Sequence, residues 1–316
     1  MVEQRLPRAV FRLEAPHALS GLFAAFGTKI FATHHTGRRR APMFDVCTRA
    51  LTFGPGHKSL PNSYCSAYVQ VDGKLFFLDT GSFEMLDPPP PLPDDSLGNI
   101  MVVWKWENLP EPPFFSSYYM VSHAVHPDER TIFFSTEKRT QKRAKVASFS
   151  FDTESCEWTR RGEWRLPFKG RGYFDPELDA WVGLSDHLDT IGHLCACEVV
   201  SAADANGPPV WKLSKDQLFC VDPTEKHIGA TLVYMGGRSK FCLVETLSID
   251  DRGDDIWEDL VPERLRYLLR VTTFFLKYDK NGDLRTAKHR RVRSYRLPKI
   301  ATRYCDHLEK PVAFWI

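Results

Sequence analysis

His187, His193, Cys195 and Cys197 are residue types that bind zinc, and they fall within one short stretch. Structural zinc sites commonly space paired cysteines two to four residues apart and add a second pair downstream. Here a single residue separates Cys195 from Cys197 on an expected strand. That spacing turns both thiols to one face, where they read as small buried apolar groups; no metal is expected. Asp279-Lys280-Asn281-Gly282-Asp283 opens like a calcium loop. Such a loop needs glycine at its sixth position and glutamate at its twelfth, and Leu284 and Arg290 stand there. A hairpin turn is expected instead. Asp250, Asp251, Asp254 and Asp255 form an acidic patch that reads as a solvated loop. Arg38-Arg39-Arg40 and Lys288 to Arg293 are basic clusters; the second reads as a charged edge that discourages strand pairing. Leu260 to Leu269 faintly resembles the opening of an F-box, but a short surface helix starting near Asp259 is expected. No glycine-rich phosphate loop and no Gly-x-Ser-x-Gly elbow occurs, so no cofactor and no catalytic residue is assigned.

The elements that must carry any such chemistry are short strands. Val146 to Phe151 alternates with period two, Asp152 to Ser155 supplies turn chemistry, and Trp158, Trp164 and Leu166 form the expected next strand before Pro167. Short polar side chains at such turns bond their own backbone. Asp72-Gly73 between two apolar runs is a strong hairpin signal. Similar groups of four strands are expected over 19–62, 63–117, 118–168, 169–222 and 226–298, with the termini 1–18 and 299–316 closing a ring. The first turns fall near Gly27, Gly73, Glu129, Asp179 and Gly237, at intervals of roughly 45–60 residues, the range of kelch-type blades. Phe44-Asp45, Phe151-Asp152 and Tyr278-Asp279 recur at equivalent places. The expected architecture is a single-domain, all-antiparallel β-propeller with five recognisable blades of four strands; a sixth would need the termini.

The 316 residues are 43% hydrophobic and 26% charged, with a formal net charge of +2. These are globular values, and the charge gives no field that predicts nucleic acid or membrane as a partner. No run reaches the about 18 apolar residues of a spanning helix. The start of the chain has no long apolar leader region, and eight cysteines are irregularly spaced. A monomeric cytoplasmic protein with reduced thiols is therefore expected, with nuclear import through the basic clusters as the alternative.

The runs GTKIFATHHTGRRRAPMFDVCTRALTFGP, GKLFFLDTGSFEMLDPPP, WKWENLPEPPF and GRGYFDPELDAWVGL resemble a large plant family of kelch-like propeller proteins, expanded in grasses and related to F-box/kelch-type proteins. The resemblance runs from about Leu19 to Pro298. The double glycine of kelch repeats appears only at Gly236-Gly237, and 1–18 is too short for an F-box. The resemblance implies the propeller fold and says little of function.

A ring of packed sheets would hold its loops rigidly as a wide binding surface. The expected function is a non-enzymatic scaffold that binds a protein partner through rim loops, with Arg38, Arg39, Arg40, Asp254, Asp255 and Trp257 as candidate contacts. Two alternatives are a substrate receptor of a ubiquitin ligase and a propeller enzyme acting on a small molecule or sugar. A metal or convergent carboxylates at the mouth of the axial channel would favour the enzyme; an apolar or plugged channel would favour the scaffold.

Overall fold

The computed structural model describes residues 3–11, 23–33, 40–57, 66–79, 82–90, 103–114, 119–138, 144–202, 207–219, 222–250, 265–287, 290–298 and 306–316. Its backbone divides into two compact units, one of Met1–Ser20, Pro167–Val199 and Pro209–Trp315, the other of Gly21–Leu166, Val200–Pro208 and Ile316.

The second of these units holds two four-stranded antiparallel sheets and a third group of four successive antiparallel strands. Strands β2 (Phe23–Phe26), β3 (Lys29–Ala32), β4 (Ala41–Asp45) and β5 (Leu51–Gly54) form one, following β1 (Glu3–Arg5) in the chain. The next comprises β6 (Ala67–Val71), β7 (Lys74–Asp79), β8 (Ser82–Leu86) and β9 (Glu107–Asn108). The third comprises β10 (Tyr119–Val125), β11 (Thr131–Lys138), β12 (Lys145–Asp152) and β13 (Glu157–Gly162). Strand β7 is apolar on both faces because both faces are covered. Leu75 and Phe77 pack with Phe31, Met43 and Trp106, while Phe76 and Leu78 pack with Phe134, Phe149 and Phe151. Phe83 meets Phe151 edge-on at 4.7 Å, an arrangement the ring quadrupoles favour.

The other unit contains β14 (Phe168–Asp175), β15 (Ala180–Ser185), β16 (Leu194–Glu198) and β17 (Trp211–Leu213) as successive antiparallel neighbours. It also contains a sheet ordered β1, β22 (Arg291–Arg296), β20 (Leu265–Tyr278), β19 (Lys240–Asp250), β18 (Glu225–Tyr234), with β21 (Leu284–Thr286) paired to the far end of β20. Val182 and Leu194 of the first set pack on Leu232, Phe241, Leu243 and Phe274 of the second. The one α-helix of the described residues, α1 (Asp306–Glu309), lies against β18.

The repeat read from the sequence reappears as backbone geometry. Gly27, Gly73, Glu129, Asp179 and Gly237 all have positive φ. Asp45 Oδ1 accepts the amides of Cys47 and Thr48, and Asp152 Oδ1 accepts those of Glu154 and Ser155. Each aspartate also draws a cation from the preceding hairpin, Lys29 to Asp45 and Arg130 to Asp152. These bonds favour the charged carboxylate, so both acids ionise below their ordinary range. For Asp152, bonded first of all by Arg130, the value falls from 3.8 to about 2. A depressed folded-state pKa contributes stability above the unfolded value that is lost as pH falls through the folded one. Thermal unfolding followed from pH 5 to pH 2 should therefore show a steeper loss for the wild-type chain than for Asp152→Asn. Parallel curves would disprove the assignment.

Several expectations are corrected. Not every pairing is antiparallel: β1 runs parallel to β22, with Glu3 opposite Ser294 and Arg5 opposite Arg296. The last sheet exceeds four strands because β20 is long enough to pair with β22 near its start and β21 at its end. Leu265 to Arg270 belong to β20 and not to a surface helix, and Asp250 belongs to β19. Alternation of Tyr267 and Leu269 with Arg266, Leu268 and Arg270 fits the pleat. The strand expected to include Trp164 and Leu166 stops at Gly162, whose φ of +147 turns the chain. Trp164 folds back so that its Nε1 donates to the Arg161 carbonyl. Trp106, just ahead of β9, is buried, and its indole donates to the Pro55 carbonyl. Of the termini expected to close a ring, the described residues 6–11 and 310–316 contain no strand.

Candidate functional site

Two histidines are each held by a glutamate. His57 Nδ1 lies 2.7 Å from Glu84 Oε2, and His227 Nδ1 lies 2.9 Å from Glu245 Oε1. A carboxylate only accepts, so Nδ1 carries the proton in both. The consequences differ because the surroundings do. His57 is completely enclosed between the rings of Phe77 and Trp106, at 4.0 and 4.2 Å. Burial lowers its pKa against the opposing pull of Glu84, so the ring is neutral. Its Nε2 accepts from the Tyr68 hydroxyl at 2.8 Å, which leaves that oxygen to accept from Thr33 Oγ1 at 2.8 Å. Burial keeps Tyr68 a phenol by raising its pKa. Both nitrogens of His57 are consumed, and the chain Thr33–Tyr68–His57–Glu84 ties β3, β6 and β8 to the segment leaving β5.

His227 has one nitrogen to spare. Its side chain is 30% exposed while that of Glu245 is 1% exposed. Among the described residues, no hydrogen bond to Nε2 is formed. Phe219 stacks on the imidazole at 4.0 Å and 17°. Phe219 in turn rests on Gly192, whose φ of +86 and missing Cβ leave room for the ring.

Strand register places the rest. Glu245 pairs with Ala230 on β18 and with Arg270 on β20, and Arg270 pairs with Ser294 on β22. Cross-strand partners share a face, so a carboxylate, a guanidinium and a hydroxyl form one row. Arg270 Nη2 reaches Glu225 Oε2 at 2.5 Å, and its Nη1 lies 3.8 Å from Glu245 Oε2. The second distance is electrostatic contact and too long for a hydrogen bond. With its side chain 3% exposed, Arg270 places one guanidinium between two glutamates. Glu225 and Glu245 are thus convergent carboxylates, and Glu245 fixes the tautomer and direction of His227. An imidazole held this way takes a proton at Nε2 as a base and returns it as an acid.

None of these residues was singled out from the sequence. The available signal was charge inside an apolar strand: Glu245 in FCLVETLSI, and Arg270, with Arg266, in LRYLLRVTTFF. Buried charges of this kind are rare unless paired. Of the residues that were singled out, Arg40 is exposed just ahead of β4. Arg38, Arg39, Asp254, Asp255 and Trp257 lie outside the described residues. Cys195 and Cys197 are buried on β16, where burial raises their thiols to about 11 and about 12. His193 Nδ1 bonds the Ser214 carbonyl, and His187 faces Asp189. Asp279 closes a hairpin turn by accepting the amides of Asn281 and Asp283. In the second basic cluster, Arg290 bonds the Leu218 carbonyl, while Arg291 and Arg293 are exposed on β22.

Fold and site together define an all-β chain with a carboxylate-oriented histidine at its surface. The chain belongs to the family described as protein of unknown function DUF1668, whose model matches residues 1–295. Comparison with curated proteins found no match. Among solved structures, the chain is similar to an oligogalacturonate lyase in complex with manganese, with a TM-score of 0.37, 10% identity, and coverage of 82% of this chain and 62% of that one. It is similar to the oligogalacturonate lyase of Vibrio parahaemolyticus, with a TM-score of 0.39, 9% identity, and coverage of 81% and 66%. The chain thus spans less than two thirds of the length of either lyase. A third is the polysaccharide lyase Uly1, with a TM-score of 0.36, 9% identity, and coverage of 92% and 83%. The expectation of a non-enzymatic scaffold is corrected at this point, since these three similar proteins are each named as a lyase. At such low TM-scores they transfer no substrate, metal or reaction to this chain, and the chemistry rests on His227 and its partners.

Proposed function

We propose that this chain is an enzyme of kelch-like β-propeller type that acts on a small molecule or sugar by proton transfer at His227. Glu245 orients the imidazole, and Arg270, bonded to Glu225, lies beside Glu245. One observation carries the reading: His227 is the described histidine whose Nδ1 is held by a buried carboxylate while Nε2 has no partner among the described residues. A structural histidine such as His57 has both nitrogens satisfied. The propeller reading is supported by five successive strand groups with left-handed residues at equivalent first turns.

The test is turnover of a panel of neutral and uronic-acid oligosaccharides, sugar lactones and sugar esters, followed by product formation. One class should be converted by the wild-type chain. His227→Gln should lose at least about 100-fold in kcat, the usual contribution of a positioned acid–base group. Glu245→Gln should fold and shift the pH profile, because the tautomer is no longer imposed. No turnover across the panel, or full turnover by His227→Gln, would reject the reading.

A further inference from the structure

The residue after next from His227 has a role that the site itself does not explain. On β18, His227 pairs with Leu247, yet Gly229 pairs with Thr246, so Ile228 is an extra residue in a β-bulge. A bulge changes the side-chain parity of a strand. Before it, His227 faces the side of the sheet that carries Glu245 and Arg270. After it, Gly229 faces the opposite side together with Thr246. On that opposite side lies the C-terminal turn. A Cβ built on Gly229 would fall inside contact distance of the Glu309 carbonyl oxygen. Thr246 Oγ1 donates to the Leu308 carbonyl and lies 3.1 Å from the Gly229 carbonyl. Leu308 is itself buried. The backbone of α1 therefore fills the space that a side chain at residue 229 would occupy, and one hydroxyl joins it to the bulge.

We infer that the C-terminal turn is a positioning strap for the proton-transfer dyad, with Gly229 and Thr246 as positioning residues. This rests on the proposed role of His227. A one-residue slip of β18 would remove the bulge and turn His227 to the face away from Glu245. Docking of Leu308 and Glu309 against Gly229 opposes that slip, because only the bulged register offers a glycine to the incoming carbonyl. The dyad is thus made on one face of the sheet and secured from the other. Displacement of residues 306–316 would release it.

The experiment follows the His227 Nδ1–H proton by nitrogen-resolved NMR in the full-length chain and in Gly229→Ala and Thr246→Val. This signal needs no substrate. In the wild-type chain a slowly exchanging, downfield Nδ1–H is expected. Gly229→Ala should abolish it, and Thr246→Val, which removes the hydroxyl and keeps the shape, should speed its exchange at least about tenfold. Amide protection of β19 and β20 should stay at its wild-type level, which separates misplacement of one ring from loss of the sheet. If Gly229→Ala does not fold, Thr246→Val decides alone. Wild-type exchange of Nδ1–H in the folded variants would overturn the strap and leave the dyad standing. Absence of the protected proton from the wild-type chain would remove the dyad, and the strap with it.

Discussion

Arg270→Met should cost about 3–5 kcal/mol of unfolding free energy, the largest effect expected of any single substitution in the site. Arg270 has a side chain 3% exposed and faces Glu225 at 2.5 Å and Glu245 at 3.8 Å. Taking away the guanidinium leaves Glu245, itself almost fully buried, with no charge to answer it, and the full desolvation cost is then felt. The ion pair need not be a net source of stability for this to hold. Replacing both members with apolar groups of similar shape is often close to neutral. The double variant Arg270→Met/Glu245→Leu should therefore recover most of what Arg270→Met loses, although it destroys the dyad. Denaturant unfolding gives the comparison, read as a shift of midpoint at constant m. A midpoint for Arg270→Met within about 0.5 kcal/mol of wild type would show the cluster to be solvated.

His57→Ala is expected to be nearly as damaging, at about 3–5 kcal/mol. The ring fills the space between Phe77 and Trp106, so its loss opens a cavity in the core shared by β3 and β7. It also strands the Glu84 carboxylate and the Tyr68 hydroxyl, each of which has His57 as a partner. The pH dependence identifies the cause. The folded-state pKa of His57 is lowered from 6.5 by burial, so below 6.5 the unfolded chain binds more protons than the folded one at this site. Stability then rises with pH through that window and is lost as the solution is acidified below it. Calorimetry of the wild-type chain between pH 7 and pH 5 should show this decline, and His57→Ala should lack it. A decline of equal size in both proteins would place the titrating group elsewhere.

The strand groups were legible because their causes are local. Asp72-Gly73, Asp152 to Ser155 and Gly236-Gly237 need only their own backbone to make turns; the first and last contain left-handed residues in the structure, and Cys156 supplies one directly after the second. Edges were less legible. β9 contracts to Glu107–Asn108 because Trp106 is drawn into the core, and β13 ends at Gly162 because Trp164 folds back. In each case a distant partner overrides the local pattern. The parallel pairing of Glu3–Arg5 with Ser294–Arg296 joins opposite ends of the chain, which no window of neighbouring residues contains.

By its order of residues alone, this chain determined short strands in repeated groups, their turn chemistry and an all-β class, since period-two alternation and Asx turns are short-range effects. Tertiary structure decided which histidine can do chemistry. His57 and His227 each sit in a strand-rich stretch with a glutamate 27 or 18 residues further on. Register brings each glutamate to its ring, and packing then closes one over and leaves the other open. Solvent access to a single nitrogen depends on what distant segments place around it, and that is a property of the folded chain.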